Sequence, residues 1–149
     1  MTTEGIEHYI SVGIHFDETF RQISAYGVPF AKLLASRGII PGIKVDKGAK
    51  PLALYPSEKI TEGLDGLRER LAEYKQLGAK FAKWRAVIQI DEHDIPTTYA
   101  MRANAHALAR YAALCQEADI VPIVEPEVLM DGAHDIDQCE AVTSQVIER

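Results

Sequence analysis

The strongest constraint on this chain is the way four short aliphatic runs alternate with helical patterns. Ser11–Phe16 (SVGIHF), Ile39–Val45 (IIPGIKV), Phe81–Ile88 (FAKWRAVI) and Ile120–Glu125 (IVPIVE) are rich in Ile, Val and Phe. Such runs read as strands covered on both faces, the habit of parallel sheets. A helical pattern follows each run. Val28–Arg37 stops at Gly38, a residue suited to a helix C-cap. Gly63–Leu77 sets Leu64, Leu67, Leu71, Tyr74 and Leu77 on one stripe and stops at Gly78. Thr98–Ala118 repeats Met101, Ala105, Leu108, Ala112 and Cys115 at helical spacing, entered through Pro96 and Thr97. Asp135 is placed to cap a last helix with Ile136, Cys139, Val142 and Val146 facing inward.

The expected order is therefore β-α-β-α-β-α-β-α. Right-handed crossovers turn that order into a parallel sheet with helices outside it. Two α/β architectures fit: a doubly wound open sheet, or an arc of a (β/α)8 TIM barrel. A nucleotide-binding doubly wound sheet carries a glycine-rich phosphate turn after its first strand. Here that turn reads DETFRQ, with no GxGxxG. No linker or low-complexity tract interrupts the chain, so residues 1–149 read as a single partial (β/α) barrel domain of about four consecutive βα units.

Composition narrows the function classes. The 16 Lys and Arg against 22 Asp and Glu give a formal charge of −6, which argues against nucleic acid as a partner. Cys115 and Cys139 lie in helical patterns outside any CxxC pair, which fits a reducing compartment. The N-terminal residues show no basic n-region followed by an apolar core, and no run reaches the roughly 18 apolar residues of a membrane span. The expectation is a cytoplasmic protein with no membrane partner.

Chemistry gathers at the strand ends. The second strand closes on Lys44-Val45-Asp46, the third carries Lys83-Trp84-Arg85 and the fourth runs into Glu125-Pro126-Glu127. Strand residues two apart share a side, so each pair presents both its charges to one face. Charged groups at barrel-strand C-termini line the mouth where substrates bind. Lys44, Lys83 and Arg85 balance Asp46, Glu125 and Glu127, so each charge has a partner available in a partly dry pocket. Cations suit phosphate or carboxylate groups, and a glutamate near a lysine suits proton transfer. A desolvated lysine can also form a Schiff base with a carbonyl. Solvated loop charges are the plainer alternative.

Other features carry less. Asp91-Glu92-His93-Asp94 and Asp131-Gly132-Ala133-His134-Asp135 contain metal-capable types, but both sit beside helix starts where acids favour the dipole. No metal site is expected. His106 reads as packing or surface, and His8 and His15 suggest no role. Gly42–Gly48 (GIKVDKG) lacks Walker spacing.

The stretches GIKVDKGAKPLA (Gly42–Ala53), TEGLDGL (Thr61–Leu67), FAKWRAVI, ANAHALARYAALCQ (Ala103–Gln116) and IVPIVEPEVLMDG (Ile120–Gly132) resemble class I fructose-bisphosphate aldolases, from about Tyr9 onward. The Ala103–Gln116 helix is closer to bacterial or algal members than to animal ones. The resemblance implies a (β/α)8 barrel and cofactor-free, metal-independent Schiff-base chemistry. In that chemistry fructose 1,6-bisphosphate is cleaved reversibly to dihydroxyacetone phosphate and glyceraldehyde 3-phosphate, a step of glycolysis. By motif, Lys83 matches a lysine that contacts substrate and supports acid/base steps. Glu125 matches the residue that moves protons during Schiff-base formation and dehydration. Lys44, Asp46, Arg85 and Glu127 match substrate-binding positions or their border. His15, in ISVGIHFDET, stands where the family has an aliphatic residue.

Family members also carry an earlier strand with an active-site aspartate, and a later LLKP-type strand with the imine-forming lysine. Neither motif occurs among these 149 residues. The chain thus corresponds to an interior fragment, the second to fifth of eight βα units, since a full barrel takes about 250 residues. Three expectations follow: part of an aldolase site that does not turn over alone, a non-catalytic half-barrel that self-associates or binds a partner, or imine formation transferred to Lys44 or Lys83.

Overall fold

The computed structural model describes residues 12–91 and 95–148. The strands are β1 (Val12–His15), β2 (Ile40–Lys44), β3 (Ala49–Leu52), β4 (Tyr55–Thr61), β5 (Phe81–Ile88) and β6 (Val121–Val128). The helices are α1 (Asp17–Phe20), α2 (Phe30–Ser36), α3 (Leu67–Leu77), α4 (Thr98–Glu117) and α5 (Ile136–Ile147).

Four strands make one sheet in the order β1-β2-β5-β6. The β1–β2 and β2–β5 pairs are parallel, with Ile14 opposite Gly42 and Lys44 opposite Lys83. β6 advances along β5 in step, its neighbouring amides at Val121 and Leu129 donating to the Lys80 and Ile88 carbonyls. Each strand lies beside its predecessor in the sheet. A doubly wound sheet reverses that order at a switch point, so the topology selects the barrel-type alternative.

Several expectations need correction. Between β2 and α3 the chain forms an antiparallel hairpin, β3–β4, absent from the plain βα alternation. Its turn places Leu54 at φ +68 and lacks the Asn-Gly or Asp-Gly signal that marks such turns. Helix α3 begins at Leu67 rather than Gly63, because Gly63 and Gly66 take left-handed φ values of 127° and 63°. β6 continues three residues past Glu125, to Val128, so Glu125 and Glu127 are strand residues.

Contacts divide the chain into two interleaved units. One consists of residues through Val45 with Gly66–Lys83 and Ala113–Ile123; the other of Asp46–Asp65, Trp84–Ala112 and the residues from Val124. The first unit packs Leu67, Leu71 and Tyr74 of α3 with Phe20, Ile43, Val45 and Cys115 in its core. Phe20 and Tyr74 meet edge to face, centroids 6.3 Å apart. Gly42 stands opposite Phe81 in the register, where the ring occupies the space a side chain would take.

In the second unit Trp84 and Tyr111 are fully buried and tilted against one another, centroids 5.5 Å apart. Met101, Ala105 and Leu108 of the expected α4 stripe are buried there too. Thr97 caps α4, its Oγ1 accepting from the Ala100 amide at 3.1 Å. Glu58 of the hairpin, itself 5% exposed, accepts from both the amide and the hydroxyl of Thr97. Asp135 caps α5 through a reciprocal box with Gln138. Val146 is buried as expected, whereas Ile136, at the first position of that helix, is 77% exposed and does not face inward. His106 is exposed.

Candidate active site

Pleating decides which residues reach the strand ends. Along β5, Ala82, Trp84 and Ala86 are fully buried while Lys83 and Arg85 between them are half-buried. At the end of β2, Val45 enters the core and its neighbours Lys44 and Asp46 are half-buried. In both places a buried residue thus stands between two half-buried charged ones, the alternation that a period of two requires. β6 alternates less, and Glu125, Pro126 and Glu127 are all half-buried.

In the first unit, Lys44 and Lys83 are partners across the β2–β5 ladder, and the Val45 amide donates to the Lys83 carbonyl at 3.1 Å. Two ammonium-bearing residues thus start from adjacent backbone positions, an arrangement suited to an anion with several oxygens. Lys44 Nζ lies 5.9 Å from the centroid of the Phe16 ring, a cation–π contact. Phe16 follows β1 and is 64% exposed.

In the second unit, the Asp46 carboxylate is held by backbone. Oδ1 accepts from the Gly48 amide at 3.1 Å and Oδ2 from the Arg85 amide at 3.3 Å. The Arg85 carbonyl in turn accepts from the Thr61 hydroxyl at 2.7 Å. Arg85 is therefore fixed at both ends of its own residue unit before its side chain acts. Its guanidinium pairs with the Glu127 carboxylate through Nε and Nη2. This brings Asp46, Arg85 and Glu127 together in one chain of contacts. Glu125, two residues before Glu127, is half-buried in the same unit.

Several positioning groups escaped the reading of the sequence. Arg70 of α3 donates from Nη1 to the Val45 carbonyl at 2.9 Å. Its signal was available: it lies three residues after Leu67 and four before Tyr74, on the flank of the buried stripe. Glu58 and Thr61 belong to the hairpin that alternation did not foresee. Asn104, 1% exposed inside α4, donates from Nδ2 to the Lys59 carbonyl at 2.9 Å and so ties the helix to the hairpin. An asparagine among alanines was a visible cue for a buried polar tie.

Among the described residues no group of three or more His, Cys, Asp or Glu gathers to hold a metal. The segment Asp91–Asp94 is only partly covered, since residues 92–94 lie outside the described ones. His15 is packed edge to face against Phe30 at 5.8 Å, and burial holds its imidazole below the ordinary histidine range. No described helix is long and apolar enough to cross a membrane.

Comparison with known proteins agrees with this geometry. The sequence profile of the family described as fructose-bisphosphate aldolase class-I, glycolytic, matches residues 1–149. A probable fructose-bisphosphate aldolase class 1 of Xanthomonas campestris pv. campestris is 65% identical over 147 residues, covering 99% of this chain and 44% of that protein. Fructose-bisphosphate aldolase 6, cytosolic, of Arabidopsis thaliana is 51% identical, covering 98% of this chain and 40% of the relative. The solved fructose-bisphosphate aldolase of Plasmodium falciparum, in complex with TRAP and a small-molecule inhibitor, superposes with a TM-score of 0.88 at 49% identity. That match covers 97% of this chain and 42% of the Plasmodium chain. The chain thus spans less than half the length of these relatives. Parallel strands added in sequence order, paired charges at their ends and matches over nearly every residue lead to one assignment: the chain belongs to the class I fructose-bisphosphate aldolase family.

Proposed function

We propose that this chain supplies the anion-holding and proton-transfer part of a Schiff-base aldolase site. The reaction is the reversible cleavage of fructose 1,6-bisphosphate to dihydroxyacetone phosphate and glyceraldehyde 3-phosphate, in glycolysis and in the cytoplasm. The observation that carries this reading is the adjacency of Lys44 and Lys83 across the β2–β5 register in a chain of this family. A sugar bisphosphate is the ligand class such paired ammonium groups suit. Lys83 contacts the substrate and supports acid/base steps, and Lys44 and Arg85 meet its anionic oxygens. Glu125 moves protons to and from the reacting oxygens, a task for a half-buried carboxylate. Glu127 orients Arg85, and Asp46 borders the site. No cofactor, metal or nucleic acid takes part, no membrane is engaged, and the working form is a homo-oligomer.

The test is titration calorimetry of the folded chain with fructose 1,6-bisphosphate, followed by borohydride reduction and peptide mapping. Saturable binding, weakened about tenfold by Lys44→Met or Lys83→Met, is the expected result. A folded chain that shows no saturable binding would overturn the proposal. A borohydride adduct at Lys83 or Lys44 would identify that residue as the imine-forming nucleophile of this chain.

A second reading is a non-catalytic half-barrel that self-associates or binds a partner. It draws on the outer strands of the sheet, where Val12, Ile14, Val121 and Ile123 are between 39% and 64% exposed. A monomeric sedimentation profile across a wide concentration range counts against it and against the homo-oligomer.

A further inference from the structure

We infer that Arg70 is a positioning residue that holds the end of β2 so that Lys44 projects to the site face. This deepens the proposed aldolase reading and rests on it for the meaning of that face, though not for the contact itself.

The contact is specific in place. Val45 is the residue after Lys44, and it is 1% exposed. Its amide donates to the Lys83 carbonyl at 3.1 Å, and its own carbonyl accepts from Arg70 Nη1 at 2.9 Å. Both polar groups of the residue are thereby fixed, and with them the direction in which Lys44 leaves the strand. β2 itself ends at Lys44, and just beyond it the Val45 carbonyl accepts from the Arg70 side chain.

Arg70 is in turn held from behind. Its helix is seated by Leu67 and Leu71, both fully buried. The Tyr74 hydroxyl, one turn on, accepts from the Arg70 guanidinium and donates to the Asp17 carboxylate. The Tyr74 ring is packed by Phe20 at 6.3 Å and lies under the Arg21 guanidinium at 5.8 Å. Arg21 also bonds to Asp17 and Glu73. The guanidinium of Arg70 therefore ends a braced polar chain running Arg21–Asp17–Tyr74–Arg70–Val45. Such bracing is what keeps a site group within a fraction of an ångström of its working place. A lysine would preserve the charge and one donor while losing the planar fork.

Competitive acylation of the intact chain, quantified lysine by lysine by mass spectrometry, reads this directly. Lys50 and Lys59, exposed on the hairpin, serve as internal references. Arg70→Met is expected to change the labelling rate of Lys44 by roughly threefold, with the two references unchanged. Arg70→Lys is expected to restore most of the wild-type rate. Calorimetry with fructose 1,6-bisphosphate should follow, the affinity falling in Arg70→Met and recovering in Arg70→Lys. An unchanged Lys44 rate in folded Arg70→Met, or an equal change at all lysines, overturns the inference. If Arg70→Met does not fold, Arg70→Gln carries the same reading and the same criteria. Labelling uses no sugar, so a wild-type chain that binds no sugar defeats the aldolase reading while leaving the Lys44 result to stand or fall alone.

Discussion

A methyl group placed on Gly42 probes how closely β2 and β5 approach beside Lys44 and Lys83. An ideal Cβ there would lie 2.2 Å from Cε2 and Cζ of Phe81 and 2.6 Å from its Cδ2. Carbon atoms normally rest about 3.5–4.0 Å apart, so the ring must retreat by more than about 1 Å. Phe81 is only 7% exposed and has little room to do so. Gly42 does not adopt a left-handed φ, so the cost is steric alone. Overpacking of this kind costs about 1–3 kcal/mol; Gly42→Ala is expected to lose about 2 kcal/mol, lowering the melting temperature by roughly 4–8 °C for a chain of this size. Phe81→Leu alone should cost about 1–2 kcal/mol through lost burial. Combined, the two changes should relieve one another, giving a favourable coupling of about 1 kcal/mol or more. Urea unfolding followed by circular dichroism measures all four corners of the cycle. Strictly additive losses would refute the steric argument. Because the Gly42–Phe81 pair stands two register positions before Lys44–Lys83, the single Ala variant should also weaken sugar bisphosphate binding.

Other consequences are open to measurement. Glu58→Ala leaves the Thr97 amide and hydroxyl without their acceptor and should cost about 1–3 kcal/mol in urea unfolding; a neutral result would show that water replaces the carboxylate. Arg85→Met breaks a pair whose side chains are 43% and 36% exposed, so stability should change by less than about 1 kcal/mol while sugar bisphosphate affinity falls on the order of tenfold. Acid should loosen the first unit. Hydrogen bonds from Arg21, Arg68 and Lys75 hold Glu73, Glu117 and Asp119 below the ordinary carboxylate range. Their stabilisation is present above that range and is lost as pH falls through it. His15 acts in the same direction at higher pH. Burial lowers its pKa, so the unfolded chain gains the proton first and stability declines as pH drops below about 6.5. His15→Val should flatten that upper part of the profile, and an unchanged profile would exclude His15 as its source.

Sequence alone was sufficient where the governing physics is local. β5 spans Phe81–Ile88 as its apolar run requires, and the alternation of Lys83, Trp84 and Arg85 follows from the pleat. The α4 stripe and the Thr97 and Asp135 caps follow equally from helical period and from donors at a helix start. The flanking of buried Val45 by Lys44 and Asp46, and of buried Trp84 by Lys83 and Arg85, follows for the same reason, whereas β6 alternates less around Glu125 and Glu127. Tertiary structure decided what depends on partners distant in the chain. The β3–β4 hairpin turns through Leu54 without a glycine, so nothing local announced it, and with it came the buried Glu58 and the Thr61 hydroxyl that fixes Arg85. The register that sets Lys44 beside Lys83 comes from strands joined through a hairpin and a helix, not from either strand by itself. Ile136 was expected inside because apolar residues favour burial, but at the first turn of α5 no described element covers it. Arg70 lies on the flank of the α3 stripe, which helical period alone gives, but its acceptor, the Val45 carbonyl 25 residues earlier in the chain, is supplied only by the packed structure. Periodicity names the face a residue occupies; only the packed chain supplies what that face meets.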